Sequence, residues 1–365
     1  MRRHWKVVFA FASLAAVGVV TRTARAAPMD PVPDRFYLNP PGENCQNVSG
    51  PNYAACLPNN VSWSNMMSEL GYAIAPSAFH PARTTGLGGF ALSMEASYVH
   101  INADATDSTG TQYWHTGTQG AVNPNTNAFS GTNKYPDSIL QIYTLKARKG
   151  LPFGLEIAGA LGYIANTSLW VGGADLHWAV LEGFRTGILG YLPDIAIGGG
   201  VRTVGGASTF FLTTVGIDGQ ISKPITLADS AVLTPYIGVQ RLIIYADSTV
   251  VNLTPAIDPL QACGYQGTNV PGNPNVPTGG VGGAYTGEPV CKNPGGAAAF
   301  NNLTTLSKDR MERWRGIAGL TYKYEILYLG GQFAMDLEEP SAENANLGVS
   351  GSKQWTMSFE AGVSF

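Results

Sequence analysis

Asp175 and His177 stand two residues apart within Leu169–Leu181. In an extended chain that spacing puts both side chains on one face, a carboxylate beside an imidazole, the pair an acid/base step requires. Nine further charged residues occupy the polar face of other extended-looking stretches: Glu95, Glu156, Arg202, Asp218, Arg313, Arg315, Lys323, Asp336 and Glu360. Both signs are mixed. One reading is catalytic, with His177 as a base, but serine is too frequent here to single out a nucleophile. The other is structural: opposed charges pair across an enclosed space and fill it with hydrogen bonds. A lone Asp-x-His is more often a buried polar pair, so no catalytic residue is assigned. Gly198-Gly199-Gly200 is not a phosphate loop, because no helical pattern follows it.

The elements that must carry these residues are strands. The clearest is the last, 352–365, where Trp355, Met357, Phe359, Ala361, Val363 and Phe365 alternate with Gln354, Thr356, Ser358, Glu360, Gly362 and Ser364. Alternation over that length makes a strand with one oily and one polar face. Similar stretches are predicted at 86–102, 137–148, 152–165, 169–181, 192–204, 209–221, 232–247, 312–324 and 327–337. That makes about ten strands, with eight or twelve as the neighbouring even counts. The facing of 137–148 is ambiguous, and the alternation of 232–247 slips near Arg241, as a bulge would cause. Two connections are long and rich in Gly, Pro, Asn and Thr, 103–136 and 248–309. Residues 27–85 are not strand-like. Only Trp63–Ile74 has helical spacing, with Ser62 or Ser64 placed to cap it.

Arg2, Arg3, His4 and Lys6 precede an apolar run, Val7–Val20, and then the small-x-small triplet Ala24-Arg25-Ala26. That is the pattern of a secretory signal peptide over 1–26, and the run is shorter than the ~20 residues of a spanning helix. Charged residues make up 13% of the chain, against ~25% in ordinary soluble domains. A net charge of -3 argues against a nucleic-acid partner. The four cysteines of an exported chain pair most simply as Cys45–Cys56 and Cys263–Cys291, each closing a Pro/Gly/Asn-rich segment. A metal site is disfavoured, because neither a Cys-x-x-Cys nor a neighbouring His is present. No cofactor motif stands out.

The final strand resembles the carboxy-terminal strand of bacterial outer-membrane β-barrels, in which a terminal Phe follows apolar residues at alternate positions. The resemblance covers about Gly86–Phe365. Leu70–Ser93 is similar to uncharacterised barrels of Gram-negative bacteria. It implies an all-β fold, a transmembrane antiparallel barrel over 86–365, in the cell outer membrane. It also implies contact with lipid and lipopolysaccharide, and recognition of Trp355, Met357, Phe359, Val363 and Phe365 by the barrel-assembly machinery. Residues 27–85 would begin on the periplasmic side, beneath the barrel or reaching into it as a plug. Ten strands enclose too narrow a lumen for a general porin, which needs ~16–18. Ten-stranded outer-membrane proteases also use an Asp-x-His pair, but their second acidic pair has no match here. The expected role is structural or a narrow conduit for a small or apolar solute. The alternatives are surface binding through loop 248–309, and a hydrolase centred on Asp175 and His177.

Overall fold

The computed structural model of the chain describes residues 27–46, 55–76, 80–122, 131–183, 192–228, 231–255, 263–265, 289–291, 302–340 and 353–365. The expected signal peptide, 1–26, lies outside them. Ten strands form the wall: β1 Phe90–His100, β2 Ile139–Gly150, β3 Leu155–Ile164, β4 Trp170–Leu181, β5 Asp194–Gly205, β6 Phe210–Ser222, β7 Ala231–Ser248, β8 Asp309–Tyr324, β9 Leu327–Asp336 and β10 Trp355–Ser364. Each pairs antiparallel with the next, and β10 pairs back onto β1. The sheet therefore closes into a barrel, in which no wall strand leaves an open edge. The seam is completed by Phe365, whose backbone exchanges hydrogen bonds of 2.8 and 3.1 Å with Phe90.

All ten predicted strands form, with ends shifted by a few residues. The connections 101–138 and 249–308 leave from the same end of the barrel, opposite to Phe90 and Phe365. The predicted bulge at Arg241 does not form. Pairing of β7 with β6 and β8 runs unbroken through that residue, and the register shift along β7 lies at Ala231/Val232, against the short strand Ile225–Ala228. The alternation slips there for a different reason. Leu242 and Ile244 face inward yet are apolar, because they pack on a helix inside the barrel.

That helix is α1, Asn60–Ile74, and all but its first two residues are buried. Neither Ser62 nor Ser64 caps it. Asn59 does, accepting a hydrogen bond from the Ser62 amide at 3.1 Å, and the helix starts three residues before the predicted position. A second helix, α2, Tyr113–Gly117, forms within the connection after β1. No described helix is long and apolar enough to cross a membrane.

Outside, the wall is apolar. Met94, Leu161, Leu176, Ile197, Ile217, Ile237, Leu329 and Phe359 are each about half exposed or more and all face outward. Aromatic residues border this band at both ends. Tyr143, Tyr163 and Trp170 stand in register across three strands towards the long-loop end, and Trp178, Tyr324 and Phe365 lie at the short-turn end. An apolar exterior between two aromatic girdles, around a polar interior, is the arrangement of a barrel that spans a bilayer.

Candidate functional site

The lumen has two halves of opposite character. Towards the long loops most inward residues are apolar: Val99, Leu140, Ile142, Ile164, Val171, Phe210, Leu212, Leu242, Ile244 and Met311. They enclose Trp63, Met66, Met67, Leu70 and Ile74 of α1 in one continuous core. Truncating one such side chain to Ala typically costs about 2–5 kcal/mol, so this helix is bound as a core element is bound.

Polar groups of α1 are satisfied by the surrounding loops. Glu69, 4% exposed, accepts from the Asn102 amide at 2.9 Å, the Asn102 side chain at 2.9 Å, the Tyr113 hydroxyl at 2.6 Å and the Trp114 indole at 2.8 Å. Burial, reinforced by the negative charge of Glu69, holds the Tyr113 hydroxyl above its ordinary pKa. Ser62 bonds Asp107, Ser64 bonds Asp309, and the Trp63 indole donates to the Ser307 carbonyl at 3.1 Å. Residues 27–46 and 55–59 complete a folded head over this mouth. Met29 donates to Asn166 at 3.0 Å and Val32 to Gly117 at 2.7 Å, while Asp30 holds Ser168. Burial raises the pKa of Asp34 in this head, against the pull of Arg35 and a backbone hydrogen bond from Asn252.

This geometry differs from the expectation that 27–85 begins at the short-turn end. Residues 27–46 and 55–59 sit at the long-loop end, α1 descends into the lumen, and the chain passes Pro76, His80 and Arg83 before entering β1 at the opposite rim. The amino-terminal segment thus threads the barrel.

The half of the lumen below α1 is ionic. Lys146 pairs with Glu95 at 3.2 Å, Arg148 with Glu156 at 3.3 Å and Arg83 with Asp194 at 3.3 Å, while the His80 imidazole lies 3.5 Å from the Glu360 carboxylate. Arg202 grips Asp175 by two bonds of 2.7 Å, and higher up, beside α1, Arg313 pairs with Asp336 and donates to the Ser68 carbonyl at 3.2 Å. Arg315 donates to the Gln240 side chain at 2.6 Å and to the Pro76 carbonyl. Arg313 and Arg315 both lie over the Tyr72 ring, 4.6 and 5.5 Å from its centroid. Such pairs hold their places because each charge has a partner in a site poor in water. The wall makes room for them with glycine. A Cβ on Gly200 would fall 2.0 Å from Asp175 Oδ1, and one on Gly198 would fall 2.9 Å from Asp218. The space left over is small. A cavity of about 40 Å³ lies beside His80, His177 and Asp218, and another of about 20 Å³ beside Glu95 and Arg202, room for isolated waters.

Of the eleven charged residues singled out in the sequence, ten face this interior. Lys323 lies at the short-turn rim, exposed, with Ser364 at 3.5 Å. Asp175 and His177 share a face but not a bond. His177 Nε2 lies 3.2 Å from the Ala82 carbonyl and Nδ1 3.3 Å from the Gln220 amide, so both ring nitrogens are taken up by structure. Asp218 keeps one carboxylate oxygen without a hydrogen-bond partner. Sequence reading missed Lys146, Arg148, His80, Arg83 and Asp194. Lys146 and Arg148 alternate with outward Leu145 and Ala147, but inward Leu140 and Ile142 on the same strand hide that period. Cys45 and Cys56 are disulfide-bonded. Cys263 and Cys291 stand opposite each other in a two-stranded ladder, and their side chains lie outside the described part.

No protein-family profile matches the chain, and no curated protein matches it. Among solved structures it is similar to Ail, the attachment invasion locus protein of Yersinia pestis, crystallised with the heparin analogue sucrose octasulfate. The identity is 8%, the TM-score 0.24, and 76% of this chain and 99% of that one are covered. The Acinetobacter baumannii outer membrane protein Omp33 is 9% identical with a TM-score of 0.24, covering 77% and 100%. Likenesses at these scores carry no argument. The geometry does: a closed antiparallel ten-stranded wall, apolar outside and polar within, makes this chain a transmembrane β-barrel of the bacterial outer-membrane type.

Proposed function

We propose that this barrel is a sealed anchor whose working part is the folded head at its long-loop end, a surface for binding outside the cell. The observation that carries the reading is the packing of α1. A helix buried along its length, one side in an apolar core and the other held by Arg313 and Thr214 of the wall, and tied through Glu69 to the loop after β1, closes the mouth as part of the fold. A plug meant to move is expected to rest on a wet, polar interface that opens at low cost. Among the described residues the paired charges enclose cavities of about 40 and 20 Å³, which supports sealing over conduction. A structural or narrow-conduit role is the reading this displaces.

The head offers binding surface from three sources: the described residues of 27–59, of the connection 101–138 and of the connection 249–308. The disulfide Cys45–Cys56 restrains the first. Loop 248–309 remains a candidate contact region, most of it outside the described residues. Recognition of the terminal strand by the assembly machinery also belongs to this proposal, supported by the outward row Met357, Phe359 and Phe365.

Planar-bilayer recording on the intact protein tests the seal. No steady conductance is expected, and a reproducible single-channel current would overturn it. Adhesion of cells displaying the protein, compared with cells in which 266–288 is replaced by a short Gly/Ser linker, tests the head. Binding is expected to fall while the barrel still assembles.

A further inference from the structure

Arginines on the wall face the lumen except at one place. Among the described strand residues, Arg241 on β7 and Arg310 on β8 alone point outward. An outward arginine at mid-bilayer is expensive, so its depth matters. Strands rise about 3.3 Å per residue and tilt by about 40°, so about ten residues cross the ~25 Å apolar band. Arg241 comes ten residues after Ala231, the first residue of β7 at the short-turn end. Below it the outward positions are apolar, Val239 and Ile237 on β7 with Ala318 and Leu320 on β8. Its cross-strand neighbour is Trp314, and its guanidinium lies 5.6 Å from that ring's centroid. Arg241 and Trp314 thus stand near the upper edge of the band, with Ile243 and Tyr245 outward above them on β7 before the charged Asp247, at the depth where lipid head groups begin.

The charge there does not cancel. Arg241 bonds Glu312, and Arg310 reaches the same carboxylate at 2.6 Å. The patch gathers three cationic side chains, Arg241, Arg310 and Lys308, against two carboxylates, Glu312 and Asp247. The Lys308–Asp247 pair above, at 3.6 Å, is neutral. The Arg241 and Arg310 side chains remain 42% and 58% exposed, so donors are still presented outward.

We propose that this patch binds a phosphate of lipid A, the anionic head of lipopolysaccharide. Arg241 and Arg310 donate to the phosphate oxygens, and the acyl chains run down Val239, Ile237 and Leu320. The charge favours an anion, the depth favours a lipid head group, and the long-loop end is the one that faces the lipopolysaccharide leaflet. The inference rests on the membrane-barrel reading.

Native mass spectrometry of the full-length protein in detergent, titrated with lipid A, tests it. A boiling-sensitive gel band from the same sample confirms an intact barrel, so a failed barrel and a failed site are distinguishable. Arg241→Gln with Arg310→Gln is expected to weaken lipid A binding roughly thirtyfold, and Glu312→Gln to strengthen it about fivefold. Arg310→Gln alone, at the more exposed position, is expected to weaken it about fivefold and serves if variants at Arg241 fail to assemble. Unchanged binding by a folded arginine variant would overturn the site. So would equal binding of dephosphorylated lipid A or of phosphatidylglycerol, or displacement of lipid A by inorganic phosphate at millimolar concentration.

Discussion

Asp175 turns both carboxylate oxygens onto Arg202, at 2.7 Å each, and none towards His177 two residues along the same strand. The two side chains share a face of β4 yet belong to different contacts. His177 holds the threaded segment at Ala82, while Asp175 neutralises a buried arginine across the β4–β5 ladder. His177→Ala is therefore expected to remove about 1–3 kcal/mol of stability, the loss of two buried hydrogen bonds. Asp175→Asn is expected to cost more, about 3–5 kcal/mol, because it strands the Arg202 charge. The temperature at which the folded gel band is lost measures both. An esterase or protease activity that vanished in folded His177→Ala would restore the catalytic reading.

Threading has a consequence for topology. Pro28 lies against Gly120 and Asn133 in the head, whereas Leu87 is 79% exposed at the opposite rim. A cysteine at Pro28 is expected to react with a membrane-impermeant maleimide on intact cells. A cysteine at Leu87 is expected to react only after the outer membrane is opened. Equal protection of both would place the amino-terminal segment on the inner side.

Where a strand has one oily and one polar face, its place was legible in the chain. The final strand, with Met357 and Phe359 outward against Thr356 and Ser358 inward, shows the period at full strength. It failed where a second apolar body lay inside the barrel. On β2 and β7 the upper inward residues Leu140, Ile142, Leu242 and Ile244 face α1, so both faces are apolar there and the period of two is lost. That is why β2 had no clear facing and Arg241 looked like a bulge. The inward acids were visible because Glu95, Glu156 and Glu360 sit among small residues. His80 beside Glu360, and Arg83 with its partner Asp194, were missed because His80 and Arg83 lie on an irregular segment, and nothing local announces that such a segment enters a lumen.

The glycines of β5 give a paired test of facing. Gly200 faces inward, where an added methyl would meet Asp175 and Pro76, the latter at 3.1 Å. Gly199 faces outward, and its nearest neighbour is the Gly216 carbonyl at 3.1 Å. Gly200→Ala is expected to lose about 1–3 kcal/mol through overpacking of the Asp175–Arg202 pair. Gly199→Ala should fall within about 0.5 kcal/mol of the parent, as surface changes do. Urea unfolding in detergent reads both, and the reverse order would mean that β5 is turned over.

The last prediction concerns the joint between plug and head. Tyr113 donates to Glu69 at 2.6 Å, and burial together with that carboxylate raises its pKa above the ordinary 10.0. A tyrosine whose pKa is higher folded than unfolded contributes stability that is complete below pH 10 and is lost as pH rises through the folded value. The head should therefore loosen above about pH 10 before the wall does, because the strands' backbone ladder does not titrate. Protease cleavage within 27–59, followed across pH 8–12, should show this onset. Tyr113→Phe removes the titrating group and should flatten the pH dependence, at a cost of about 1 kcal/mol for the lost hydrogen bond. Glu69→Gln leaves Tyr113 and Trp114 competing for one neutral acceptor, and should raise cleavage at every pH. If Tyr113→Phe keeps the parent's alkaline onset, the joint is held by something other than this pair.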